Sequence, residues 1–573
     1  MRRPVRIGNC SGFYGDRLAA AKEMVDGGPI DVLTGDYLAE LTMLILAKAQ
    51  AKDPATGYAT TFLTQLEQVL GTCLDRGIKI VTNAGGLNPA GLAAAIRELA
   101  GRLGLTVRVA HVEGDDLRGN LSAITPAVTG KPVSANAYLG GWGIAEALGG
   151  GADVVVTGRV TDASLVAGPA AWWHGWAPTD WDALAGAVAA GHVIECGPQA
   201  TGGNYAFLHE ITDRRYPGFP IAEVAADGSS VITKHDDTGG LVSVGTVTAQ
   251  LLYEIAEPAY LGPDVTAHFD TLVLEQEGPD RVRISGVQGS PPPATLKVAL
   301  NDVSGFRNTM TLVLTGLDIE EKAAWAEQQL FDVLGGRERF AGVDVRLLRF
   351  DRDDAPGNEQ ATAHLRITVK DPDPRKVGRA FSNATMELAL AGYPGFHTTT
   401  PPTGESAYGV YRPAAVPRDA VQHVVVLPDG ERRTIPDPPA SPSTGGDRGY
   451  RHEHRAAVPG ETRPAPLGTV CGARSGDKGG NANIGLWARD DAGYAWMSAY
   501  LTVERLRDLL GPEAAGLEIE RFDLPNLRAL NVVVHGLLGE GVASSTRPDP
   551  QAKGLGEYVR SRIVDVPITL LGG

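Results

Sequence analysis

Arg159 and Asp162, with Thr157, Gly158, Thr161 and Ser164 beside them, form the densest gathering of reactive and binding side chains in the sequence. They follow a β-branched run, Val154, Val155 and Val156, bounded by glycines. Such a run predicts a strand over 153–156 covered on both faces, and the carboxyl ends of strands in open α/β sheets are where ligand sites are built. Arginine offers a planar fork of donors that fits a carboxylate or phosphate, and an aspartate nearby can take up a proton. Thr161 or Asp162 would cap the following helix, whose amide-rich start also favours an anion. An arginine held in a structural pair by a neighbouring carboxylate reads the same way, and both alternatives stand.

The elements that must position this cluster recur upstream. Strand-like runs at 6–9, 30–33, 78–81, 107–112 and 133–135 alternate with helical stretches at 17–24, 38–49, 89–103 and 143–148. With 153–156 they make six strand units and predict a parallel, doubly wound, Rossmann-like α/β core. Parallel strands place their carboxyl ends along one edge, which would gather Asn9, Ser11, Asp36, Asn83, Glu113, Asn136, Thr157, Arg159 and Asp162. In that grouping Arg159 holds an anion, and Asp36, Glu113 or Asp162 acts as general base. Asn9, Ser11, Asn83, Asn136 and Thr157 bind substrate, although Asn and Ser at strand ends also serve as caps and turn formers.

Beyond residue 181 the texture changes. A seventh strand is predicted at 192–197 and a polar glycine loop at 199–204, with Asn204 as a substrate ligand. Strands follow at 221–224, 230–234 and 241–248, and a hairpin at 271–275 and 281–285. The run 307–315, 319–334, 343–350, 362–369, 374–391 and 422–427 has a βαββαβ order, which suggests a ferredoxin-like α+β sandwich. Residues 436–466 read as a Pro/Gly-rich linker. A small α+β domain closes the chain, with strands at 468–473, 483–488, 517–522 and 530–535 and helices at 502–510 and 555–564. The expected domains are thus 1–200, 201–435, the linker 436–466, and 467–573.

In the last domain, Arg474, Ser475, Lys478 and Asn481 lie in a glycine-rich stretch, 472–483, read as a flexible loop between strands. Cations and free amides there can form an anion-binding nest, and the phosphate-loop pattern GxxxxGK[ST] is absent. Gly140 to Gly143 do not make a dinucleotide fingerprint. His111, Glu113, Asp115 and Asp116 form an oxygen-rich cluster able to hold magnesium, while no HExxH pattern marks a zinc site. His397 and Glu405 share a proline-punctuated loop, 392–408, as an acid/base candidate. His174, between tryptophans, reads as a core or capping histidine. The four cysteines are far apart, with no base adjacent in sequence to activate a thiol.

At 573 residues the chain is too long for a single core, and its net charge of -16 argues against nucleic acid as a partner. No apolar run is long enough to span a bilayer and no signal-peptide pattern opens the chain, so the expectation is a cytoplasmic homo-oligomer that takes a small anionic molecule.

Several long motifs are similar to the acyclic terpene utilisation AtuA family. They are Ala137-Tyr-Leu-Gly140, Gly151-Ala-Asp-Val-Val-Val-Thr-Gly-Arg-Val-Thr-Asp-Ala-Ser164, Gly197 with Thr201-Gly-Gly-Asn204, Thr238-Gly-Gly-Leu-Val-Ser-Val-Gly-Thr-Val-Thr248 and Pro291-Pro-Pro-Ala-Thr-Leu-Lys297. Ala473-Arg-Ser-Gly-Asp-Lys-Gly479 resembles the ferredoxin-like domain fused to some members. The resemblance implies a place in breakdown of branched isoprenoid acids such as citronellate and geranylate, beside acyl-CoA carboxylase and hydratase partners. It carries no catalytic residue list. Three functions are compatible: hydration or carbon-carbon cleavage of a carboxylated acyl-CoA, an accessory subunit of an acyl-CoA carboxylase, or a metal-dependent hydrolase. A CoA ester as substrate, no further cofactor, and magnesium as an option accompany the first reading.

Overall fold

Short runs of valine and isoleucine with side chains buried on both faces build the centre of the protein. In the computed structural model, which describes residues 2–441 and 460–571, Val154–Thr157 is buried throughout. It pairs in parallel with Lys79–Thr82 on one side and Val109–Glu113 on the other. Val5–Asn9 and Val32–Gly35 continue the parallel ladder. Antiparallel strands extend both edges into an 11-stranded sheet. Alternation along Val154–Thr157 divides the core between two layers. Val154 and Val156 pack with the helices Thr60–Arg76 and Pro89–Arg102, and Val155 packs with Trp142–Gly149 and Ser164–His174. This is the doubly wound, mixed α/β arrangement.

The chain forms two compact units. One comprises Met1–Asn301, Tyr411–Val542 and Asp549–Gly573, the other Asp302–Val410 and Ala543–Pro548. In the second unit the helices Ile319–Leu334 and Arg379–Ala391 share a core with the strands Gly342–Arg349 and Thr362–Asp371. The fourth position of its sheet is taken by His397–Thr398, which pairs with Val313 and Leu312. The C-terminal ferredoxin-like domain has a four-stranded antiparallel sheet in which Cys471–Lys478, Asn481–Ala488, Ala529–Val534 and Ile519–Leu524 are successive neighbours. Among the described residues no helix is long and apolar enough to cross a membrane.

Several expectations are corrected. Residues 192–197 are not a strand: they lie at the end of the helix Trp181–Ile194 and in the turn after it. That helix is buried on nearly every side from Leu184 onward, so no polar face imprints a helical period on its sequence. Residues 241–248 are not a strand either. Ser243 accepts the Thr246 amide, Thr246 bonds back, and this capping box starts the helix Val244–Leu251 despite its alternating β-branched residues. Ser134–Ala137 leaves the parallel sheet and pairs antiparallel with Val298 to Asn301. Val424–Val426 joins the large sheet beside Val109–Glu113 rather than closing the sandwich. Thr462–Pro466, read as linker, is a strand paired with Ile563–Pro567, which also shortens the last helix to Leu555–Ser561. Residues 442–459 of the expected linker lie outside the described residues.

The stretch 472–483 is not a flexible loop. It is a β-hairpin in register from Cys471 opposite Ala488 to Lys478 opposite Asn481, with only Gly479 and Gly480 in the turn. Its glycines allow close packing. A Cβ at Gly476 would stand 2.4 Å from Tyr253 Cε2, and one at Gly485 2.4 Å from Leu252 Cβ. The hairpin therefore lies directly against the chain that follows Val244–Leu251, and this brings its tip to the cavity described next.

Candidate functional site

A cavity of 910 Å³ opens at the carboxyl edge of the parallel strands, within the first unit. Asp36, Arg159, Asp162, Asn204 and Lys478, all expected site residues, line it. Volume and mixed lining suit a small organic ligand with a charged end.

Arg159 is fixed from three directions. Its backbone N–H donates to Asp115 Oδ2 at 2.9 Å, and its Nη1 donates to Asp162 Oδ1 at 2.6 Å and to the Leu38 carbonyl at 3.2 Å. The guanidinium carbon stands 4.3 Å from the Tyr138 ring centroid. Burial works against its charge, but Asp162, Tyr138 and Asp36 outweigh burial and hold it charged. The structural pair and the cavity position thus coexist in one residue.

Asp36 follows the strand Val32–Gly35 and is 4% exposed. Asn83 Nδ2 donates to its Oδ1 at 2.6 Å, while Asn83 Oδ1 accepts the Tyr37 amide at 2.8 Å, so Asn83 clamps the turn. Burial, reinforced by the negative Asp162, pushes the Asp36 carboxyl well above the usual range. Glu40, at the start of the helix Glu40–Lys52, is opposite in character. Burial resists its ionisation, yet Lys297, 3.9 Å away, and Arg159 prevail and lower it. Lys297 Nζ also stands 4.5 Å from the Tyr138 ring centroid, so two cations share one aromatic ring.

On the facing wall, His192 and Glu195 project from the end of Trp181–Ile194, with Nδ1 and Oε1 3.1 Å apart. His192 is 1% exposed and packs against the rings of Tyr260 and Phe269. Burial, then the charge of Lys478, brings His192 down to about 4, so it is neutral. Burial, then Asp162 and Glu254, pushes Glu195 well up. Asn9 supports this wall rather than facing the cavity: its Nδ2 donates to the carbonyls of Ile194 at 2.8 Å and Glu195 at 3.2 Å.

The C-terminal domain supplies the remaining side. Asp477, Lys478, Gly479, Gln551 and Lys553 line the same cavity. Lys478 Nζ donates to the Glu254 carbonyl at 2.8 Å, and Lys553 lies 3.9 Å from Glu254 Oε1 and bonds Tyr253 Oη. Asn483 Oδ1 accepts the Glu254 amide at 2.8 Å, which ties residue 254 to the hairpin. Burial, then Glu254, lifts Asp477 to about 7.

The other expected residues stand behind the lining or apart from it. Asn136 donates to Asp115 Oδ2 at 2.8 Å and so supports the group that holds Arg159. Ser11 donates to the Phe13 carbonyl and Thr157 to that of Gly158. Arg474 bonds Gln199 and stacks over Tyr253; Ser475 bonds the Ala552 carbonyl and accepts the Gly556 amide; Asn481 accepts the Gly536 amide. Glu113 does not line the cavity and is engaged by His111 at 2.9 Å and Arg432 at 2.7 Å. His397 is exposed, with Nδ1 against the Gly395 carbonyl, and His174 stacks on Trp176 and bonds the Val224 carbonyl. Among the described residues, no group of three or more His, Cys, Asp or Glu is arranged to hold a metal ion.

Sequence reasoning did not single out Glu40, Tyr138, His192, Glu195, Glu254, Lys297, Asp477 or Lys553. Lys297 ends one family motif, Tyr138 and Asp477 lie inside two others, and His192, Glu195 and Cys196 share the segment 192–197, whose sequence suggests a strand. Distance along the chain hid the others.

No curated protein matches the chain. The family model described as Acyclic terpene utilisation family protein AtuA matches residues 5–427, which hold Asp36, Glu40, Arg159, Glu195 and Lys297. The AtuA ferredoxin-like domain matches residues 465–565, which hold Asp477, Lys478 and Lys553. Both parts that wall the cavity are thus covered, and the chain belongs to the acyclic terpene utilisation AtuA family.

Proposed function

We propose that the protein is an acid–base enzyme of branched acyclic acyl breakdown, hydrating or cleaving a carbon-carbon bond of an anionic, carboxylated acyl substrate carried as its CoA ester. One observation carries the reading. Carboxyls with opposite shifts face one cavity, Asp36 and Glu195 pushed up against the lowered Glu40, with Arg159 and Lys297 between charge and aromatic ring. Environments that push neighbouring carboxyls apart define an acid and a base at one pH. Arg159 and Lys297 would hold the substrate carboxylate and steady negative charge as it develops on the acyl oxygen. Glu40 or Asp162 would remove the proton next to the thioester, and Asp36 or Glu195 would return one to carbon or to the leaving oxygen.

The test is deuterium uptake from D2O into citronellyl-CoA, geranyl-CoA and a carboxylated geranyl-CoA, followed by mass spectrometry. The carboxylated ester should exchange fastest, and Asp36→Asn or Glu195→Gln should slow exchange by about 10²–10⁴-fold. Equal, uncatalysed exchange with all three esters would sink the proposal.

A further inference from the structure

We propose that Lys478 is a nucleophilic amine that forms an imine with the ketone of a branched keto acid bound in this cavity. The reading rests on the anion seat proposed above and adds a covalent step and a substrate class to it.

The cavity lysines differ in their partners. Lys297 has Glu40 at 3.9 Å and Lys553 has Glu254 Oε1 at 3.9 Å. Among the described residues Lys478 has no carboxylate in ion-pair range, and its partner is the Glu254 backbone carbonyl at 2.8 Å. A single carbonyl acceptor orients one N–H and leaves the nitrogen lone pair uncovered once a proton is lost. Loss of that proton is eased here: burial, then the like charge of Lys297, lowers Lys478 to about 8. Desolvation beside a second cation is how lysines become nucleophiles near neutrality. Lys478 is also held in place, since it ends a strand register-locked to Asn481–Ala488 and is followed at once by the Gly479–Gly480 turn.

The surroundings define the ligand. Arg159 and Lys297 over the Tyr138 ring receive a carboxylate. Phe13, Leu41 and Leu261, which line the cavity and keep 57%, 44% and 41% of their surface exposed, suit a branched apolar tail. The amine attacks the carbonyl carbon, forming a C–N bond while the carbonyl oxygen takes a proton from Asp477 or Glu195. The resulting carbinolamine loses water to give a protonated imine. That imine accepts the electron pair when the bond to the β-carboxylate breaks, so that the carboxylate leaves as CO2 and an enamine remains; protonation on carbon and hydrolysis by one water then release a ketone and restore the amine.

The experiment is borohydride reduction of the full-length protein with acetoacetate or 6-methyl-5-hepten-2-one, followed by intact mass and peptide mapping. The expected result is one ketone-dependent reduced adduct, mapped to Lys478 and lost in Lys478→Arg. Lys297→Met should weaken trapping of acetoacetate at least tenfold more than trapping of the uncharged ketone. Wild-type protein with no adduct at Lys478, or with adducts spread evenly over surface lysines, overturns the proposal without recourse to a variant. Deuterium exchange with no adduct removes the imine and leaves the acid–base reading standing. An adduct without exchange supports the imine and removes the acid–base reading.

Discussion

Asp36 and Glu40 lie on the same short stretch of chain, yet their neighbours drive them in opposite directions, burial and Asp162 raising one, Lys297 and Arg159 lowering the other. A carboxyl whose folded pKa is raised stabilises the fold fully below its unfolded pKa, and that contribution is lost as pH rises through the folded value. Asparagine at position 36 is neutral at every pH and can still accept the Asn83 amide. Asp36→Asn should therefore match the wild type in thermal stability near pH 4 and become the more stable of the two toward pH 7 and above, while losing turnover. Differential scanning calorimetry across that range checks it, and an offset that stays constant at all pH values would show that the Asp36 carboxyl keeps its unfolded pKa on folding. Asn83→Ala should instead destabilise at every pH, by about 1–3 kcal/mol, because it strips partners from the buried Asp36 carboxyl and the Tyr37 amide together.

At the scale of elements, Gly158 links the central strand to the cluster at Arg159. A Cβ there would stand 2.5 Å from Asp115 Oδ1, the carboxylate that accepts the Arg159 amide and is itself steadied by Asn136. Gly158→Ala should cost about 1–3 kcal/mol by overpacking and shift Arg159, weakening binding of an anionic ester in a titration even where the protein remains folded. That linkage was half legible. The β-branched run Val154 to Val156 and the polar turn after it gave the strand and its reactive edge, and parallel strands did bring Asp36, Arg159 and Asp162 to one cavity. Asn9, Asn83 and Asn136 were read as ligands, but an asparagine at a strand end has both a donor and an acceptor to satisfy, and here they secure Glu195, Asp36 and Asp115. The helices Trp181–Ile194 and Val244–Leu251 were misread because both are buried on almost all sides, so their sequences carry no amphipathic period. Thr60–Arg76 carries a plain helical period: Phe62, Leu66, Val69, Leu70 and Cys73 recur at helical spacing and are all buried.

Over the whole molecule, buried titratable groups of opposite kinds set the response to pH. Asp115 and Asp264 are both raised from 3.8 to about 6 by burial. Each therefore contributes stability that is intact below about pH 4 and lost as pH climbs to about 6. His192 and His423 run the other way, lowered by burial from 6.5 to about 4. Their contribution is intact above 6.5 and lost as pH falls toward 4, since the unfolded imidazoles take up protons that the folded ones refuse. A shift of about two units corresponds to about 3 kcal/mol, so these two acids and two histidines largely offset one another between pH 4 and 6.5. Single replacements expose the hidden slopes. Asp264→Asn keeps an acceptor for the Gly141 amide, 2.7 Å away, and its stability relative to wild type should climb by about 3 kcal/mol from pH 4 to 6. His423 is shifted by burial alone, so His423→Gln should gain about as much in the opposite direction, from pH 6.5 down to 4. Urea unfolding of both variants beside the wild type reads the two slopes directly, and parallel curves with a constant offset would mean that neither group changes its protonation on folding.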